Sequence, residues 1–132
     1  MGVYSQFLDN YIAALNRQDV EAMISFYTED VVYIDHAVGV KLNRTTVGTF
    51  LKNFIDSYSV GFKVTPLHVC QDPESEKLAY EWQMEGTSKT GVKMSIRGIS
   101  MMQMRGDKIS RNVDYWNHAD SPRALVEAKQ EQ

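Results

Sequence analysis

Apolar side chains recur every three or four residues at the start of the chain, at Tyr4, Phe7, Leu8, Tyr11, Ile12 and Leu15, with polar residues filling the gaps. That spacing gathers one stripe on one side of a helix and predicts an amphipathic helix with its stripe buried. After Asn16-Arg17-Gln18, Asp19 is suited to cap a second helix, because its carboxylate can accept from the free amides of the first turn. Val20, Met23, Ile24 and Tyr27 then share one face, so the two helices are expected to pack as a pair. The period changes at Asp30. Val31-Val32-Tyr33-Ile34 is β-branched and aromatic, too short for a buried helix, and runs toward the turn signal Gly39, which predicts a strand ending near His36 to Val38. A third helix, capped by Thr45 or Thr46, carries Val47, Phe50, Leu51, Phe54, Ile55 and Tyr58 at helical spacing and ends by Gly61.

The second half alternates with period two, over Phe62 to Cys70, Leu78 to Thr87, Val92 to Met104 and Lys108 to Asn117. Short turn-forming segments separate these runs: Asp72-Pro73-Glu74-Ser75, Lys89-Thr90-Gly91 and Arg105-Gly106-Asp107. Four strands joined by hairpins, an antiparallel meander, are therefore expected. Ser121-Pro122 suits a helix start, and 121–132 is read as a short helix or a polar tail. Helices in front and a meander behind make an α+β domain whose helices cover one face of the sheet, with 1–132 as a single domain.

The other sheet face needs a cover as well. Along Val92 to Met104 one phase holds Met94, Ile96, Met102 and Met104, while the opposite phase holds Ser95, Arg97, Ile99 and Met101. A strand apolar on both sides is usually covered on both sides, so a homodimer through the outer face is expected.

Composition narrows the classes. An apolar fraction of 43% with 11% aromatics supplies one sizeable core but not two. With 14 basic against 17 acidic side chains and no run of like charge, nucleic acid and anionic membrane are poor partners. Cys70 is the single cysteine, and the N-terminus has no basic start followed by an apolar stretch and a small-residue cleavage site. A reducing, cytoplasmic setting is expected. No apolar stretch approaches the roughly 20 residues needed to cross a bilayer. Asn43-Arg44-Thr45 has the form of a glycosylation sequon but reads as a turn before a helix. There is no glycine-rich phosphate loop and no nucleophile elbow, and Cys70, His36, His68 and His118 lack metal-ligand spacing, so neither a metal nor a cofactor is expected.

The element order, together with Tyr11 to Asp19, Phe26-Tyr27-Thr28-Glu29-Asp30 and Ile34-Asp35-His36-Ala37-Val38-Gly39, resembles the ketosteroid isomerase family. More broadly it is similar to the SnoaL-like polyketide cyclases and the limonene epoxide hydrolases of the nuclear transport factor two-like superfamily. The turn Gly106-Asp107-Lys108-Ile109 and the strand Val113-Asp114-Tyr115-Trp116-Asn117 resemble the aromatic last strand of the isomerases and epoxide hydrolases. The likeness runs to about Asp120. It implies a cystatin-like conical half-barrel, with three N-terminal helices packed on a curved, mainly antiparallel sheet around a deep apolar pocket.

The resemblance also names candidate chemistry. His36 stands where the isomerase pattern Glu-Asp-Pro-Val-Gly has its proton-shuttling aspartate, and an imidazole can accept and return a proton near neutrality. The sequence leaves open whether Asp35 takes the inward position instead. Asp114 interrupts a mostly apolar strand, in phase with Asn112, Trp116 and His118, and matches a catalytic aspartate of the epoxide hydrolases. A carboxylate facing an apolar cavity is costly without a partner. Arg97, on the preceding strand, is the expected partner across the ladder, the alternative being an outward arginine. Tyr11 matches the isomerase's oxyanion-hole tyrosine, whereas the aspartate that supplies the second donor there is replaced near Ile99. Trp116, Tyr27, Trp82, Met84 and Phe54 are expected to line the substrate pocket.

These residues imply a cofactor-independent isomerase or cyclase acting by acid/base chemistry on a small apolar polyketide- or terpenoid-like intermediate of secondary metabolism. Epoxide hydrolysis or dehydration on a similar substrate is the nearest chemical alternative. A non-catalytic small-molecule-binding or assembly module is the alternative from another class, and it predicts that His36 and Asp114 do not converge.

Overall fold

The structure is a computed structural model that describes residues 2–120. The expected helix or tail at 121–132 lies outside the described residues.

The first helix, α1 (Ser5–Asn16), buries Phe7, Leu8, Tyr11, Ile12, Ala14 and Leu15, the stripe its spacing predicts. Its last residue ties it to the sheet: the Asn16 amide donates to the Val64 carbonyl at 3.1 Å and accepts from the Val64 amide at 2.7 Å. Asp19 caps α2 (Val20–Ser25), accepting from Ala22 N at 3.1 Å. Here the structure departs from the local pattern. Tyr27 does not continue the helix but opens β1 (Tyr27–Asp35), where it pairs with Ile109 and the Ile109 amide donates to the Phe26 carbonyl at 2.7 Å. Helical spacing could not reveal a ladder partner some eighty residues away.

A short strand, β2 (Val40–Leu42), folds back on β1 through a turn in which Gly39 takes φ 81° and its amide reaches the Asp35 carbonyl. Glycine adopts that left-handed conformation without the Cβ penalty of other residues. Then comes α3 (Arg44–Ser57), capped by Asn43 rather than by Thr45 or Thr46. Thr46 is the reciprocal member of the box, since its amide donates to Asn43 Oδ1 at 3.0 Å while its hydroxyl accepts from Asn43 N at 2.9 Å.

The expected meander is present as β3 (Val60–Asp72), β4 (Lys77–Thr87), β5 (Lys93–Arg105) and β6 (Lys108–Trp116), each antiparallel to the next. The six strands lie in the order β2-β1-β6-β5-β4-β3, and β1 runs parallel to β6. Three helices on one six-stranded, mainly antiparallel open sheet make the expected α+β architecture. The inward phase of β5 (Met94, Ile96, Met102 and Met104) belongs to the same core as Met23, Val47, Leu51 and Ile55 from α2 and α3. Fully buried side chains such as Met23, Leu78, Met104 and Ile109 each contribute about 1.5–3 kcal/mol of hydrophobic stabilisation. The opposite phase of β5 (Ser95, Arg97, Ile99, Met101) is exposed.

Candidate active site

Because side chains alternate along a strand, the parallel register of β1 and β6 decides which groups share the helix-covered interior. Asp35 and Asp114 are cross-strand partners, 5% and 7% exposed, and Tyr33 stands beside Asn112 one step further in on the same face. Across the antiparallel edge of β6, Ser100 pairs with Asp114. A polar cluster is thus assembled inside an otherwise apolar core from β1, β5 and β6.

Asp114 is its centre. The carboxyl accepts from Ser100 Oγ at 2.6 Å and Asn112 Nδ2 at 2.9 Å on Oδ1, and from the Tyr33 hydroxyl at 2.5 Å on Oδ2. Ser100 in turn accepts from the Trp82 indole at 2.9 Å, which aligns its own proton toward the carboxyl. Burial pushes the Asp114 carboxyl above the ordinary carboxylate range; the three donors pull it down, and the neighbouring Asp35 charge adds to the rise. The group therefore holds a proton to higher pH than a surface aspartate does.

Asp35 is set differently. Its two oxygens accept from the Trp116 indole at 3.1 and 3.0 Å, and Oδ1 also accepts from the Val38 amide at 3.1 Å. The chain turn that follows β1 thus supplies one donor and the end of β6 the other.

A second polar group lies nearby. Tyr11 on α1 and Tyr27 on β1 share a hydrogen bond of 2.5 Å between their hydroxyls, and the Tyr27 ring meets Tyr33 edge-on at 6.1 Å. Burial pushes the phenols of Tyr11, Tyr27, Tyr33 and Tyr80 up, so all four remain protonated donors. At the margin of the core, Phe54, Met84 and Trp116 are half-buried.

Two expected members are not in this cluster. His36 is exposed on the outer face, stacked on Tyr115 with ring centroids 4.9 Å apart. It is the first residue of the turn after β1, and Asp35, the last residue of the strand, takes the inward position. Arg97 is exposed on the outer face too, where its Nε donates to Gln83 Oε1 at 3.2 Å, and no Arg97 to Asp114 pair forms. The residue facing Asp114 is Ser100, three places along and therefore in the opposite phase. Ile99 likewise faces out, 43% exposed, leaving Gly98 and Ser100 as the inward residues of that stretch. A Cβ at Gly98 would lie 2.5 Å from the Trp82 ring, so glycine is what lets the indole approach β5 this closely while it bonds Ser100. Tyr11, Tyr27, Trp82 and Asp114 do lie together in the interior.

Tyr33, Ser100 and Asn112 were not singled out as site residues by sequence. The signal was the period of two: Val31, Tyr33 and Asp35 share one phase of β1, and Gly98 and Ser100 interrupt the methionine-rich phase of β5. Among the described residues no cluster of three or more His, Cys, Asp or Glu side chains could hold a metal ion, and no helix is long and apolar enough to cross a membrane.

Residues 8–112 match the SnoaL-like domain family. The chain belongs to that family. Among solved structures, the SnoaL-like chain is similar to a candidate polyketide cyclase from Xanthomonas campestris pv. campestris, with 25% identity, 86% of this chain and 89% of the other covered, and a TM-score of 0.74. A protein with a ketosteroid isomerase-like fold from Catenulispora acidiphila, crystallised in complex with trimethylamine, matches its fold at 18% identity, 89% coverage of both chains and a TM-score of 0.77. A candidate isomerase from Bacillus subtilis does so at 21% identity, 96% and 92% coverage and a TM-score of 0.75. Among curated proteins, none matches the SnoaL-like chain.

Proposed function

We propose that this protein is a cofactor-independent isomerase or cyclase of the acid/base type, acting on a small apolar polyketide- or terpenoid-like intermediate of secondary metabolism. The observation that carries the reading is the adjacency of two buried carboxyl groups in unlike settings, Asp35 and Asp114. Paired carboxyls whose surroundings differ can divide acid and base roles between them. On this reading Asp35 takes a proton from a carbon next to a carbonyl, and the electron pair moves to the carbonyl oxygen. The Tyr11 and Tyr27 hydroxyls, one donating to the other, leave one phenolic proton to donate to that developing oxyanion. Return of the proton at another carbon completes an isomerisation; attack of the enolate carbon on a second carbonyl completes a cyclisation. Asp114 supplies or retains the second proton. Phe54, Met84, Trp82 and Trp116 provide the apolar wall against which the ligand rests. The Xanthomonas protein described as a candidate polyketide cyclase supports this class of reaction. The setting on this reading is cytoplasmic, in keeping with the free cysteine Cys70.

The separation of His36 from Asp114 is what a non-catalytic binding module predicts, and it would favour that alternative if Asp35 did not stand at the inward position. Epoxide opening loses the support that an inward Arg97 offered. The test is proton exchange at the α-carbon of 2-tetralone, a compact bicyclic ketone, followed by NMR in deuterated water. Exchange faster than buffer that disappears in Asp35→Asn is expected; no acceleration by the wild type overturns the reading.

The partner we propose is a second copy of the chain. Ile34, Val113, Met101 and Ala79 are cross-strand neighbours in one row over the outer face of four strands, and Tyr115 pairs with Ile99 in the next. Met101, Tyr115 and Ile99 are 51%, 47% and 43% exposed. Lys77 and Arg111 flank the apolar rows on one side; on the other, Glu81 lies in the row of Ile99 and Tyr115, and Arg97 and then Glu85 lie beyond it. Two such faces packed about a two-fold axis cover each other's apolar rows.

A further inference from the structure

Asn112 is 1% exposed, and its side-chain oxygen has no hydrogen-bond partner. The amide cannot simply be turned round to remove the difficulty. Its nitrogen donates to Asp114 Oδ1 at 2.9 Å, and an oxygen in that place would face a carboxyl oxygen that already receives Ser100. The neighbouring tyrosines carry the complementary imbalance. The Tyr11 and Tyr27 hydroxyls bond to each other, which uses one phenolic proton and leaves the second without an acceptor among the described residues. Around Asp114 there are thus one unmet acceptor and one unmet donor, the first on the amide bonded to Asp114 and the second on the tyrosine pair whose Tyr27 ring meets Tyr33, itself bonded to Asp114.

A buried polar atom left unpaired costs free energy, and native interiors seldom retain one without a reason. Resting the case on the acid/base reading above, we infer that Asn112 is a specificity-determining residue of this site: its Oδ1 accepts a hydrogen bond from the ligand, selecting a carbonyl compound that also bears a hydroxyl or enol group. The carbonyl oxygen takes the spare phenolic proton, and the hydroxyl donates to Asn112. A ketone or ether without a donor fills the first place and leaves the second empty. Because the oxygen has no partner in the free protein, the ligand that pairs it gains relative to one that merely covers it.

Binding separates this inference from the reaction itself. Isothermal titration of the wild type with 2-naphthol and with 2-methoxynaphthalene compares two ligands with the same ring, one able to donate from oxygen and one not. The naphthol should bind tighter, by a factor on the order of ten or more. In Asn112→Leu, which keeps the volume and loses the acceptor, the two affinities should come within about twofold. Asn112→Ala gives the same readout should the leucine not fold. Equal affinities in the wild type, a preference for the ether, no binding of either compound, or an undiminished preference in a folded variant overturns the inference. Failure of the acid/base reading would appear instead as α-proton exchange that ignores Asp35→Asn, with this affinity ratio untouched.

Discussion

Asp35 and Asp114 are direct partners across two parallel strands, both turned to the helix-covered face, while His36, one residue further along, faces the opposite way onto Tyr115. A one-residue step is all that separates a group in the core from one on the surface. The first prediction follows from that step. Asp35→Asn should reduce turnover by roughly 10²- to 10⁴-fold, the range for loss of a general base. His36→Ala should stay within about threefold of wild type, since an outward imidazole cannot share a proton with the interior. Rates of 2-tetralone exchange for the two variants side by side decide it, and the reverse ranking would reinstate His36.

Asp114 links the site to stability. Burial holds its carboxyl above the ordinary range, so the folded protein keeps this proton to higher pH than the unfolded chain does. Its contribution is complete below the ordinary carboxylate value and is lost as pH rises through the raised folded value. Relative to Asp114→Asn, the wild type should therefore lose stability as pH climbs across that window. Urea midpoints for both proteins from acid to neutral pH check the sign; a difference that does not change with pH removes the shift.

The Trp116 indole donates to Asp35, at 3.1 and 3.0 Å to its two oxygens. Trp116→Phe keeps the ring and removes that donor. Turnover is expected to fall by about tenfold, with KM changed far less, as the carboxylate loses its orientation. A rise in KM alone would make Trp116 a wall of the site and nothing more.

At Gly98 an added Cβ meets the Trp82 ring at 2.5 Å and the Tyr115 carbonyl oxygen at 2.8 Å. Gly98→Ala should cost about 1–3 kcal/mol of stability through overpacking. It should also displace the indole that bonds Ser100, so activity should fall in the same variant. Chemical denaturation with a parallel exchange assay tests both, and an unperturbed denaturation midpoint would show that the strand yields at little cost.

On the outer face, Met101→Lys with Ile99→Glu puts charge into the middle of the apolar rows. If two copies pack there, light scattering should show a dimer for the wild type and a monomer for the double variant, with the fold retained by circular dichroism. A wild-type monomer at all concentrations leaves those rows without a second copy.

Much of this architecture was legible one element at a time. The three helices followed from spacings of three and four, and the meander from period two with turns at Asp72-Pro73 and Arg105-Gly106. Tyr11 and Asp114 stood out because a phenol within a core stripe and an acid within an apolar strand are both conspicuous. Tyr27 was misplaced because it extends the apolar face of α2 while its true partner, Ile109, is distant in sequence. Arg97 was assigned an inward direction for a related reason. Both phases of β5 contain large apolar residues, so its local pattern gives no sense of inside and outside.

What the sequence alone determined is which residues lie on the same face of each element, because 3.6-fold and two-fold periods are properties of the local backbone. It also showed that both phases of β5 carry large apolar residues. Which face of each strand turns inward, and which residues from distant strands become neighbours, was decided by the tertiary structure. The parallel seating of β1 against β6 sets Asp35 beside Asp114, and the antiparallel register of β5 brings Ser100, not Arg97, to the same carboxyl. Register is fixed by the packing of the whole core, and a slip of one residue would exchange every inward group for an outward one.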